Sequence, residues 1–119
     1  MTLIKLWAVK HSLDLWFTFG FALIMTVAML MSVAEKESSA GFDKIIHLIS
    51  FMVLVMPVSF CRPRSWIWLA PAAIFFGLVI EIIQPSFGRG REWLDFVADL
   101  VGVGIGVVLA GYLSRRWQL

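Results

Sequence analysis

Four stretches of this chain are long and apolar enough to cross a bilayer, and they leave little sequence for anything else. A membrane helix needs ~20 mostly apolar residues. Runs of that kind occupy about 13–34, 44–60, 65–84 and 93–114. The connections are the polar or turn-rich segments EKESSAGFD, CRPRS and PSFGRGRE. Pro85 falls where the third run should stop, because proline disfavours a helical residue before it. Only 15% of the residues are charged while 61% are hydrophobic. A soluble domain carries about 25% charged residues, so this chain lacks the polar surface to coat a water-soluble bundle. The expectation is an all-α integral membrane four-helix bundle, with residues 1–119 forming a single domain.

The charge pattern narrows the class further. A net charge of +2 with no basic patch gives no sign of a nucleic-acid partner. Cys61 is the one cysteine, so no internal disulfide can form, and it lies in no metal or redox motif. Lys5, Lys10, Arg62, Arg64, Arg115 and Arg116 fall at one end of a four-span bundle. Lys36, Lys44, Arg89 and Arg91 fall at the other, beside most of the acidic residues. By the positive-inside bias both termini are expected in the cytoplasm. Trp7, Trp66, Trp68 and Trp117 mark that end and Trp93 the outer one, as interfacial aromatics do. The basic start and Ser32-Val33-Ala34 imitate a cleavable signal peptide, but the apolar run exceeds the ~7–15 residues of an h-region, so a retained first span is expected. Residues Met1 to His11 read as a short amphipathic lead-in lying along the interface.

Ionisable residues inside membrane spans are costly, at least ~2.5 kcal/mol on insertion scales, and by default mark function. At 1.5 Å per residue, His47 lies ~6 Å deeper than Asp43, Glu81 ~5 Å below the end of span three, and Asp99 ~6 Å below Asp95. Three helices thus bring His47, Glu81 and Asp99 to one depth, below a rim of Asp43, Lys44, Gln84, Arg89 and Asp95. Residues three or four apart share a helix face. Asp43, His47, Ser50 and Phe51 form one stripe, Gly77, Glu81 and Gln84 a second, and Asp95, Asp99, Gly102 and Gly106 a third. The ridge Gly102, Gly106, Ala110 allows close helix approach and turns Asp95 and Asp99 inward.

These blocks together resemble the VanZ-like family of small bacterial membrane proteins. The resemblance rests on DKxxH (Asp43, Lys44, His47), GxxIExxQ (Gly77, Ile80, Glu81, Gln84), Gly88-Arg89, Asp95 and the Gly102/Gly106 pair. It runs from Asp43 to Gly106. The family pattern commonly has asparagine where this chain has Asp99, which adds an acid to the cluster. The namesake raises resistance to the glycopeptide teicoplanin, so the resemblance implies work at the cell envelope and a bacterial inner-membrane location.

Each residue also has a structural reading. Asp43 can cap the second helix, Lys44 can snorkel to headgroups, His47 can be a hydrogen-bonded core histidine, Gln84 can satisfy loop backbone, and Arg89 can neutralise a buried acid. Three functional classes therefore stay open. The first is a binding site for an anionic, lipid-linked envelope component, with Arg89 and Lys44 on the anion while Glu81, His47, Asp95 and Asp99 organise the pocket. The second is an enzyme on a lipid-linked headgroup, with His47 or Glu81 as general base. The third is a scaffold whose ion network fixes helix register. Hard oxygens on Glu81, Asp95 and Asp99 with His47 would suit a divalent metal, but no recognised metal motif is present, and no metal or cofactor is expected. A lipid or lipid-linked precursor is the expected partner, with another membrane protein or a second copy of the chain left open.

Overall fold

The computed structural model describes residues 3–31, 40–83 and 93–116. Among these the chain is helical: α1 (Leu3–Lys10), α2 (Leu13–Met31), α3 (Ala40–Cys61), α4 (Trp66–Ile83) and α5 (Trp93–Arg116), with a 3-10 turn at Pro63–Ser65 before α4. Four helical stretches, Leu13–Leu30, Lys44–Cys61, Pro63–Ile83 and Trp93–Arg116, have the length and apolarity to cross a membrane. At 1.5 Å per residue, α5 is ~36 Å long, more than the ~30 Å hydrocarbon core. The chain is a multi-pass membrane protein. Against the sequence-based spans, α3 begins at Ala40, four residues before 44, and α5 runs to Arg116, two residues past 114, while residues 32–34 and 84 lie outside the described set. Pro57 and Pro71 lie inside α3 and α4, towards the end that carries the Cys61–Ser65 connection.

α3 is the central rod, and its largest interface is with α5. That interface is built by glycine. A methyl carbon at Gly102 would lie 2.3 Å from the Leu48 carbonyl oxygen, and one at Gly106 would lie 2.7 Å from the Met52 oxygen and 2.6 Å from Val55 Cγ2. Only the missing side chains let the two backbones approach this closely, the use of small residues that membrane packing favours. Gly104, on the opposite face of the same helix, has nothing within 4 Å of such a carbon. Phe51, Leu54, Val55 and Val58 of α3 form the middle of the core with Met25 and Met29 of α2, Leu69, Ala73 and Ile80 of α4, and Val103 of α5. Large apolar side chains such as Phe19, Leu23, Ile45, Phe75, Ile82 and Val108 face outward. In water such a surface would be untenable; in lipid it is the solvated face.

The end where α3 meets α4 is tied by α1. Leu3, Ile4, Leu6 and Trp7 are exposed, whereas Lys5 is 1% exposed. The Lys5 ammonium donates to the Ser114 carbonyl (3.2 Å) and to the Ser114 hydroxyl, and lies 4.6 Å from the centre of the Phe60 ring. The buried cation and the exposed apolar residues thus take different faces of α1. The turn after α1 contains Ser12, whose φ of 55° is the left-handed region that non-glycine residues rarely adopt. The Ser12 carbonyl then accepts the first hydrogen bond of α2, from Trp16 (3.0 Å). Beside this turn Arg62 Nε donates to Asp14 Oδ2 (2.8 Å) and Arg62 Nη2 reaches the Val9 carbonyl (3.4 Å). The chain start, the α3–α4 connection and the end of α5 therefore share one end of the bundle.

Candidate functional site

At the opposite end, three helices direct polar side chains at one another. α3 contributes Lys44 and His47 from its outer turns, α4 contributes Glu81 from its last turn, and α5 contributes Asp95 and Asp99 from its first two turns. The one-turn offsets within α3 and α5 put each pair on a single face. The Gly102 and Gly106 contacts press that face of α5 against α3. His47 is 2% exposed, Glu81 4%, Asp95 3% and Asp99 0%. Ionisable groups this deep are rare in membrane proteins outside functional clusters and paired networks.

The geometry centres on His47. Its Nδ1 lies 2.7 Å from Asp99 Oδ1; an ionised carboxylate can only accept, so the imidazole carries the proton at Nδ1 when Asp99 is charged. Its Nε2 lies 3.9 Å from Asp95 Oδ2, beyond hydrogen-bonding distance. Lys44, which keeps about a quarter of its side chain exposed, sets its ammonium 3.8 Å from Asp95 Oδ1. The cluster thus grades from a half-open cation at the rim to a closed histidine–carboxylate pair beneath it. One ligand atom each from His47, Glu81 and Asp99 lies within 4.8 Å of the other two.

Gly77, one turn before Glu81, shapes the floor of this cluster. A methyl carbon there would sit 2.9 Å from Asp99 Oδ2 and 3.2 Å from the Phe51 ring. The bare backbone leaves the Asp99 carboxylate its place between α3 and α4. Next to Glu81, between α4 and α5, lies a cavity of about 310 Å3 lined by Leu78, Glu81, Ile82, Trp93 and Phe96. One carboxylate therefore meets both the polar cluster and an apolar cleft.

Of the residues singled out from sequence, the structure brings together Lys44, His47, Glu81, Asp95 and Asp99. Asp43 lies in α3 but its side chain is outside the described set, and Gln84 and Arg89 lie outside the described residues. The sequence reading passed over the second polar group, Lys5 with Ser114 and Asp14 with Arg62, at the other end. The signal for Lys5 was present: a lone lysine in LIKLWAV, where an exposed charge would ordinarily sit among polar neighbours.

Fold and site together define a polytopic membrane bundle with a buried histidine–carboxylate cluster near one membrane face. Comparison with known protein families, with curated proteins and with solved structures gave no match.

Proposed function

We propose that this chain is a VanZ-like protein of the bacterial inner membrane that binds an anionic, lipid-linked component of the cell envelope at its extracytoplasmic end. The observation that carries the reading is the junction at Glu81. A buried polar cluster there adjoins an apolar cavity opening between α4 and α5. An amphipathic ligand needs such a pairing, a polar site for the headgroup and a greasy cleft for the start of its chain. Lys44, half-open at the rim, is the described cation best placed to meet a phosphate, with Arg89 as the second donor. Both termini are assigned to the cytoplasm on the bias of Lys5, Lys10, Arg62, Arg64, Arg115 and Arg116 towards their end. The resemblance to the VanZ-like family makes teicoplanin susceptibility the phenotype to measure.

The test is to purify the protein with its Glu81→Gln and Arg89→Ala variants and to identify co-purifying lipids by mass spectrometry. Specific enrichment of a phosphate-bearing polyprenyl or phospholipid on the parent protein, reduced in both variants, is the expected result. Equal lipid content in all three, with equal helicity and thermal stability, would remove the binding reading.

A further inference from the structure

The His47–Asp99 pair leaves two buried atoms unanswered. His47 Nε2 and Asp99 Oδ2 are both inaccessible and neither has a hydrogen-bond partner. A buried polar atom without a partner keeps its full desolvation penalty, and in low dielectric the penalty grows. Asp99 Oδ2 calls for a cationic partner, and Nε2 for an acceptor on the side of Asp95. Gly77 sets no side chain of its own beside Asp99 Oδ2. Facing the imidazole, Asp95 Oδ2 stands 3.9 Å from Nε2.

We propose that His47, Glu81 and Asp99 hold a divalent metal ion. Two donors that share an ion, each ~2.0–2.2 Å from it, lie ~3–4.4 Å apart. The ligand atoms of these three residues, all within 4.8 Å of one another, need close by only a few tenths of an ångström to meet that range. The mixture of one imidazole with carboxylates suits Mn2+, Fe2+ or Zn2+ better than the all-oxygen preference of Ca2+. An ion held through Nδ1 takes the place of the proton between His47 and Asp99, and Nε2–H then points to Asp95 Oδ2, the arrangement by which an outer carboxylate fixes the tautomer and orientation of a ligating histidine. The cavity at Glu81 adjoins the set. No sequence motif marks the site because its ligands come from three helices. Their separations reflect loop lengths rather than the geometry of an ion. The site stands on these contacts alone and does not depend on lipid recognition.

The experiment uses Mn2+ as the probe and the full chain in detergent, purified through a tag without histidine. The chain has two histidines, and His11 is exposed, so the His11→Gln variant leaves His47 as the only imidazole. Electron paramagnetic resonance should show one tightly held Mn2+ per chain, with pulsed nitrogen coupling from one imidazole, displaced by Zn2+ in the order of divalent affinities. His47→Gln and Asp99→Asn should each weaken binding by roughly tenfold or more, while His11→Gln leaves it unchanged. No Mn2+ retention, retention without imidazole nitrogen coupling in His11→Gln, or binding indifferent to the two cluster substitutions would each overturn the proposal. Should His47→Gln or Asp99→Asn fail to fold, the nitrogen coupling in His11→Gln decides the matter with the cluster intact.

Discussion

Replacing Gly102 by alanine places a methyl carbon 2.3 Å from the Leu48 carbonyl oxygen, 3.1 Å from its carbon and 3.2 Å from its Cα. An ordinary carbon–oxygen contact is ~3.3 Å or longer, so α3 and α5 must separate by about 1 Å there. The obstacle is backbone on both sides, and no side chain can rotate away to relieve it. His47 directly precedes Leu48 and Asp99 lies one turn before Gly102, so the separation falls on their 2.7 Å hydrogen bond. Lengthened by about 1 Å, that contact leaves the hydrogen-bonding range. Overpacking of this kind costs ~1–3 kcal/mol and loss of a hydrogen bond to a charged group ~1.5–3 kcal/mol, against ~1 kcal/mol gained in helix propensity. The net expectation is a destabilisation of about 2–5 kcal/mol. Gly104→Ala is the internal control: same helix, same chemical change, nothing within 4 Å, and therefore neutral or slightly stabilising. Unfolding of both variants in mixed micelles, followed by circular dichroism, measures the difference. If Gly102→Ala is as stable as Gly104→Ala, the close packing of α3 on α5 is not what positions the cluster.

The opposite end makes separate predictions. Lys5→Ala should release α1 from Ser114 and Phe60, raising amide exchange across residues 3–10 while α2 to α5 keep their protection; uniform loss of protection would contradict a peripheral clamp. For Asp14 and Arg62, a double-mutant cycle should give a coupling of only ~0.2–1 kcal/mol, because the Arg62 side chain is about a third exposed and partly solvated pairs are weak; a coupling above 3 kcal/mol would mean this pair is more closed than the structure shows.

The architecture was legible because membrane helices carry their signal in single residues and run lengths. The Leu13–Leu30 and Trp93–Arg116 stretches have the length and apolarity of membrane-crossing rods. The meeting of His47, Glu81 and Asp99 was legible for a geometric reason. Each lies within about two turns of its helix end on the same side of the bundle, and a fixed rise per residue converts sequence offset into depth. Gly77 and Gly102 stood on the right stripes, yet their tasks differ, one making room for a carboxylate and the other for a backbone, and spacing alone does not separate these. The buried Lys5 was hidden because its partner is Ser114, far along the chain; a charge at a chain end reads as a topology signal until the fold supplies an acceptor.

The account stands most directly on the contact between His47 Nδ1 and Asp99. Magic-angle-spinning NMR of the protein in lipid bilayers, in the His11→Gln background with labelled histidine and aspartate, reads it without ambiguity. A His47 Nδ1 proton in hydrogen-bonded register with the Asp99 carboxyl carbon, lost in Asp99→Asn and retained in Gly104→Ala, is the result expected. A His47 imidazole that exchanges with water and shows no proximity to Asp99 would contradict the cluster and everything built on it.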